Sequence, residues 1–422
     1  MSLKRILIAA CLLVLAVFSA SAQDYVEQIK ANPAMAGANM MNYHFVQSRY
    51  TPAPKGYKAF YISHYGRHGS RYDASDVNAV SVWPIMREAE KSGLLSEAGK
   101  AFYADLNAIL LEQEGKYGML TALGAREHRE IARRMVRNFP DVFRKRAGRN
   151  QVLCQSSVSP RCIISMTNFS LSLERRTKML DYKCLAGDKF QEVIAFVPKS
   201  GAARNMAREK EEDVRKATMN PLEIIGYFFN DTEAALELIK DPFEFEQRLY
   251  LASCVGHLTD NGSCLLAHWP HEILVRNFEV RNPRFYLSYG MSDEMSEYQK
   301  QVSRKLLADI VKRADEALKE GSNMVADLRF GHDTALLPLV GHIRIEGMEN
   351  WAAFDQVNSV WNSSMSICMG SNLQMIFYRN KSGEVLVKML YNEKETTIPA
   401  LKTFSGPYYK WSDLRQYFAG LL

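Results

Sequence analysis

The sequence predicts an α/β fold carrying a mostly helical inserted domain. Aromatic and β-branched runs that read as strands alternate with segments of helical spacing. Three of those runs end in polar clusters, at 67–71, 156–161 and 331–334. Between about 200 and 320 the texture changes to charge clusters and Ala-rich stretches with few β-branched runs. The 422 residues are 24% charged and 47% hydrophobic, which excludes a disordered chain, a collagen-like fibre and a coiled-coil rod. That length suits two or three ordinary domains, or one large core with an insertion.

The chain opens on a targeting pattern. Lys4 and Arg5 precede an apolar run from Ile6 to Phe18, and Ser19-Ala20-Ser21-Ala22 supplies small residues for cleavage after Ala22. The run is short of the roughly 20 residues needed to span a bilayer. Residues 1–22 therefore read as a signal peptide, and the mature protein as periplasmic or secreted without stable membrane insertion. The net charge of +6 falls to +4 once Lys4 and Arg5 are removed. This mild, dispersed excess does not point to nucleic acid. Six cysteines follow the leader, at 154, 162, 184, 254, 264 and 368. An exported compartment permits disulfides. Cys254 and Cys264 form the best local pair, around the turn Asp260-Asn261-Gly262; the alternative is six small buried side chains. None lies in a metal-binding CxxC pair.

Residues 23–57 are polar and rich in Ala, Asn, Pro and Tyr, and are expected to wrap the surface. Ala59 to Tyr65 reads as a strand running into Gly66-Arg67-His68-Gly69-Ser70-Arg71. Thr121 is a helix cap, followed by His128, Ile131 and Met135 on one buried stripe. Gln151 to Gln155 reads as a strand leading into Ser156-Ser157-Val158-Ser159-Pro160-Arg161. Ala207 to Val214 and Gln299 to Leu318 read as helices. Met324 to Phe330 is a strand that ends at Gly331-His332-Asp333-Thr334. Leu373 to Phe377 and Glu384 to Leu390 form a hairpin around Asn380-Lys381-Ser382-Gly383. The expected domains are an α/β domain built from 23–195 and 320–422, with a helical cap over 196–319.

In open α/β sheets, sites lie past the carboxyl ends of strands, where all three polar clusters fall. Arg67 and Arg71 bracket His68, and two planar guanidinium forks suit a tetrahedral dianion. Arg161 is a third donor. Positive neighbours disfavour a protonated imidazole, and a neutral imidazole is a nucleophile. His332 can bind a phosphoryl oxygen, and Asp333 can protonate a leaving ester oxygen and then orient water. Charge stabilisation by these side chains needs no metal and no cofactor. Taken singly, each feature has an ordinary reading: a turn histidine, surface arginines, an aspartate capping a helix over Thr334 to Leu337. His64 and His128 read as structural, Tyr72 as a residue that stacks on a leaving group or merely packs. Asn168, Asn261 and Asn362 begin glycosylation sequons.

Together the clusters closely resemble the histidine phosphatase superfamily in its acid phosphatase and phytase branch. The branch motif RHGxRxP is matched by Arg67-His68-Gly69-Ser70-Arg71-Tyr72-Asp73. Its serine-rich, arginine-bearing segment is matched by Ser156 through Ser165, and its HD motif by His332-Asp333. Leu120-Thr121-Ala122-Leu123-Gly124 resembles the segment before a long helix, and Val387 to Pro399 the last strands. The resemblance covers about residues 58–399 and implies a phosphoglycerate-mutase-like three-layer core. It implies that His68 is phosphorylated, that Arg67, Arg71, Arg161 and His332 bind phosphate, and that Asp333 is the general acid. Arg71 argues against the mutase branch. His332-Asp333-Thr334 argues against the inositol polyphosphate subgroup, which often carries His-Ala-Glu there. Two positions depart from the pattern: Asp73 replaces the usual proline, and Ala335 an asparagine. The implied function is hydrolysis of phosphomonoesters of inositol or sugar-like small molecules. Multiple inositol polyphosphate phosphatase is the nearest alternative. A noncatalytic phospholigand-binding or idle envelope protein is the alternative of another class, which aryl phosphate turnover would exclude. Oligomeric state is not legible.

Overall fold

The computed structural model describes residues 24–144, 148–177, 179–292, 294–349 and 351–422, so the expected leader lies outside the described residues. Its strands are β1 (Lys58–Arg67), β2 (Gln151–Ser156), β3 (Asp181–Ala186), β4 (Met324–Gly331), β5 (Asn372–Arg379), β6 (Val385–Tyr391), β7 (Lys394–Thr396) and β8 (Tyr408–Lys410). They form one mixed sheet in the order β3-β2-β4-β1-β5-β6-β7, with β8 also on β6. Neighbours from β3 to β1 run parallel, and from β1 onward antiparallel. The predicted strands at 59, 151, 324 and the hairpin at 373–390 are all present. The short, mostly exposed edge strand β3 was not anticipated: Asp181-Tyr182-Lys183 carries no continuous apolar run.

Strand β1 is buried from Ala59 to Arg67, as a central strand covered on both faces should be. Alternation sends Ile62 to one face and Tyr61 and Tyr65 to the other. Ile62 joins Val152, Phe330, Ile131, Met135 and Phe169 in one apolar cluster. Tyr61 and Tyr65 join Leu306, Ile310, Leu336 and Leu339 in a second. Helices Ala122–Asn138 and Pro160–Glu174 thus cover one face, and Ser296–Leu318 and Asp333–His342 the other. This is a three-layer α/β sandwich.

The described part of 196–319 contains helices and no named strand. It shares the first core cluster, through Phe228, Leu249 and Phe278. Helices Ala202–Thr218 and His271–Tyr289 are pinned by the buried Glu211, which meets Arg284 at 2.8 Å and Arg281 at 3.8 Å.

Two expectations fail. Residues 33–41 do not wrap the surface: Pro33–Met40 is a 3-10 segment, and Ala34 through Met41 are buried. Its small side chains let the backbone pass through the interior, and Tyr250 donates to Ala36 O at 2.6 Å. Cys254 and Cys264 are not joined; all six described cysteines are free thiols. Cys254 turns into the core at the end of helix Pro242–Ser253, while Cys264 stays half-buried beyond the turn.

His64 and His128 are structural. Both pack among Phe169 and Phe330. Burial lowers the imidazoles of His64 and His128 to about 3, and that of His257 to about 4. In the unfolded chain each titrates near its ordinary value of about 6.5. The unfolded state therefore holds more protons between those limits. Stability from these groups is complete above pH 6.5 and is lost as pH falls toward 3. Each contributes on the order of 1 kcal/mol per pH unit across its window. Urea midpoints should decline from about pH 7 to 4.5, and His128→Leu should flatten the decline by about one proton's share. An undiminished slope in that variant would show that His128 is not a source of the decline.

Candidate active site

The parallel register aligns the carboxyl ends of three strands. Arg67 lies opposite Gly331, and Phe330 opposite both Gly66 and Ser156. Ladder hydrogen bonding continues one residue past the strands: His68 N donates to Gly331 O at 2.9 Å and Ser157 N to Phe330 O at 3.0 Å. The three predicted clusters therefore converge. His68 and His332 face each other edge to face, with ring centroids 5.6 Å apart. Arg67, His68, Arg71, Arg161, His332 and Asp333 line one cavity of about 370 Å³. Helices Pro160–Glu174 and Asp333–His342 both begin at this cavity, so two N-terminal dipole ends add to its positive field. A larger cleft of about 830 Å³ lies at the other end of β1, beside Lys58 and Arg379. Its Arg149 and Arg379 each donate to backbone carbonyls, and none of the three clusters reaches it.

His68 Nδ1 lies 2.9 Å from Gly69 O. A carbonyl only accepts, so Nδ1 carries the proton and the neutral ring keeps a bare lone pair on Nε2. Burial, then Arg67, Arg161, His332 and Arg71, hold this imidazole well below its ordinary value. Burial followed by Arg161 lowers His332 to about 4. Both rings are neutral at pH 7.

Arg67 is almost wholly buried. Its Nη1 donates to Asn39 O and Ile367 O, each at 2.6 Å, and its Nη2 meets Asp333 Oδ2 at 2.7 Å. Arg71 Nη1 donates to Tyr72 O at 2.7 Å. Burial lowers Arg71 to about 10, so it stays charged. Asp333 Oδ2 also accepts from Asn39 Nδ2 at 3.0 Å, and Oδ1 from Thr334 N at 2.9 Å. Burial alone would raise this carboxyl, but Arg67, the Asn39 amide, His332 and Arg71 overcome it and hold Asp333 below its ordinary value.

The loop itself is clamped from below. Buried Glu127 accepts from Ser70 N at 2.8 Å, Ser70 Oγ at 2.7 Å and Tyr43 N at 2.9 Å. Ser70 O accepts from Thr121 N at 3.0 Å and Thr121 Oγ1 at 3.1 Å. Thr121 also caps its helix, accepting from Gly124 N at 3.3 Å.

Sequence reasoning missed Asn39, because it lies in the segment read as surface. It missed Glu127, whose neighbour His128 drew attention as part of the stripe. Arg204, Tyr289, Tyr298 and Val302 of the inserted helices also line the cavity, and no motif marks them. Asp73 takes the turn role: its carboxylate accepts from Ala74 N at 2.6 Å and Asn78 Nδ2 at 3.0 Å. Tyr72 packs rather than lining the cavity, with its hydroxyl 3.3 Å from Asp260.

The fold is that of the histidine acid phosphatases. Multiple inositol polyphosphate phosphatase of Bifidobacterium longum, in complex with inositol hexasulfate, superposes with a TM-score of 0.74 at 18% identity, over 90% of this chain and 97% of that one. The phytase from D. castellii gives 0.69 at 14% identity, over 92% and 85%. Hafnia alvei phytase in complex with tartrate gives 0.54 at 12% identity, over 88% and 98%. No protein-family model and no curated protein matches the sequence.

A Cβ on Gly124 would stand 2.2 Å from Ser70 O and 2.7 Å from Ser70 N. Gly124→Ala should therefore cost about 1–3 kcal/mol of stability and displace the His68 loop. Gly226, also helical, has only Thr232 Oγ1 near, at 3.6 Å, and is the control. Equal denaturation midpoints for Gly124→Ala and Gly226→Ala would refute the close-approach argument.

Proposed function

We propose that this protein is a histidine acid phosphatase that hydrolyses phosphomonoesters through a phosphohistidine at His68. The observation that carries the reading is the bare Nε2 of His68, fixed by the Nδ1–Gly69 bond, at a cavity lined by Arg67, Arg71 and Arg161. In the proposed reaction these arginines and His332 hold the phosphoryl oxygens while Nε2 attacks phosphorus in line with the ester oxygen. Asp333 gives its proton to the departing alkoxide. Water then attacks phosphohistidine, with ionised Asp333 as its acceptor. We further propose export to the periplasm or medium, on the leader at 1–22.

The phosphate charge itself favours the acid form of Asp333. A dianion among the guanidiniums competes for Arg67 Nη2 and repels the nearby carboxylate, so it raises a carboxyl that Arg67 otherwise holds down. Phosphorylation by an alkyl phosphate should accordingly fall as pH rises through this raised value, while a nitrophenyl ester should show a flatter profile.

Inositol polyphosphates are the second reading. Arg204 makes four arginines against the single carboxylate Asp333 in the cavity lining, a balance that suits a multiply phosphorylated ligand. His332-Asp333-Thr334, in place of His-Ala-Glu, weighs against the polyphosphate subgroup. Arg204→Ala should raise KM for inositol hexakisphosphate several-fold more than for a sugar monophosphate. Equal changes would favour the simple monoesterase.

Rapid quench with labelled substrate tests the central claim: His68→Ala should yield no acid-labile phosphoprotein and almost no turnover. Label on serine or aspartate in the wild type would overturn the assignment. Asp333→Asn should slow phosphorylation by about 10²–10⁴-fold for an alkyl phosphate and far less for nitrophenyl phosphate. Equal losses would leave Asp333 a positioning residue only.

A further inference from the structure

We propose that Ser157 is a positioning residue that sets the tautomer of His332, placing its proton on Nδ1 and making Nδ1 the donor to a phosphoryl oxygen. This rests on the phosphatase reading for the role of the donor, though not for the tautomer itself.

Ser157 is the first residue past β2 and is fully buried. Its Oγ lies 3.0 Å from His332 Nε2. Either atom of that pair can be the donor, and the surroundings decide between them. Ser159 N donates to Ser157 Oγ at 3.4 Å, so one lone pair of the hydroxyl is engaged. Cys162, the other polar neighbour, gives its thiol proton to Gly331 O at 3.2 Å, and its sulfur, 3.6 Å from His332 Nε2, is only a weak acceptor for a ring N–H. If His332 donated from Nε2, Ser157 Oγ would receive two N–H groups. Its own proton would then be left to the Cys162 sulfur, a weak acceptor. If Ser157 donates to Nε2 instead, its hydroxyl proton meets a strong acceptor, and the ring N–H is left at Nδ1, 4.0 Å from Cys162 Sγ, for a ligand in the cavity that His332 lines. The second arrangement leaves the buried Ser157 hydroxyl satisfied, as buried polar groups are.

The consequence falls on the other ring nitrogen. His332 is neutral at pH 7, since burial and Arg161 lower it to about 4. A neutral imidazole has one N–H. With Nε2 accepting, that N–H is at Nδ1. The opposite tautomer would turn a lone pair toward phosphoryl oxygen, which repels it. His68 and His332 then share the Nδ1–H tautomer but owe it to different partners: the Gly69 carbonyl for His68, the Ser157 hydroxyl for His332. His68 presents its lone pair to phosphorus, and His332 presents its proton to oxygen.

The test is nitrogen NMR of the full chain with ¹⁵N-labelled histidine at pH 7, the His332 signals being assigned by their loss in His332→Gln. His332 is expected as the Nδ1–H tautomer in the wild type and is expected to shift toward Nε2–H in Ser157→Ala. An Nε2–H tautomer in the wild type overturns the proposal, as does an unchanged tautomer in a folded Ser157→Ala. The wild-type spectrum can overturn the proposal even where the variant does not fold. Inorganic phosphate is the binding probe: its affinity should fall at least about tenfold in Ser157→Ala, with little further loss in the double variant with His332→Gln. Additive losses would place the effect of Ser157 elsewhere than on His332. If the tautomer is as stated but His68 never becomes phosphorylated, the hydrolase reading fails and the assignment of Ser157 to the ring stands.

Discussion

Everything at the cavity depends on the parallel pairing of β1, β4 and β2 in one register. Arg67 opposite Gly331, and Ser156 opposite Phe330, bring three loops out of the sheet at the same height. A slip by one residue would turn every side chain of a strand to its other face and separate the clusters. The register is enforced from both faces, because Ile62 belongs to one apolar cluster and Tyr61 and Tyr65 to the other. It is also enforced at the strand ends. A Cβ on Gly331 would stand 2.1 Å from Tyr65 Oη, a hydroxyl that donates to Ile194 O at 2.7 Å and accepts from His332 N at 3.1 Å. The tyrosine thus ties β1 to β4 where the site begins.

The strand-end clusters were legible because their chemistry is local. A glycine-flanked histidine with two arginines, a serine-rich turn before Pro160-Arg161, and His332-Asp333 each sit on a few consecutive residues. The helix cap at Thr121 was legible for the same reason. What holds those clusters is contributed from far along the chain and leaves no local mark. Asn39 reaches Asp333 across 294 positions, and its segment, Ala34 to Met40, has the composition of a surface loop. Ala, Gly and Asn bury well in a tight backbone turn, which composition alone does not distinguish from exposure. The cavity wall from Arg204, Tyr289 and Tyr298 was illegible because these residues lie on three separate helices.

Burial serves two opposed ends in this fold. It keeps His68 and His332 neutral and so fit for attack and donation on the proposed reading. The same desolvation depresses His64, His128, His257 and His342, none of which lines the cavity. Six of the nine histidines in the sequence therefore resist protonation in the folded state. A structure built this way is weakened by acid, yet the proposed general acid needs a proton.

Arg67 offers a resolution. It touches Asp333 through one nitrogen while its other terminal nitrogen is fixed on Asn39 O and Ile367 O. The guanidinium thus stays in place whether or not the carboxylate remains its partner. A phosphate dianion that takes over Nη2 removes the main charge holding Asp333 ionised and adds a repulsive one. Both changes favour the protonated carboxyl. On the proposed reading the substrate's own charge then draws the proton to Asp333, at a pH where the buried histidines are still neutral. On this argument the Nη1 contacts of Arg67 matter as much as the exchangeable pairing of Nη2. One arginine would, on the proposed reading, both keep Asp333 ionised without substrate and grip phosphate when substrate binds.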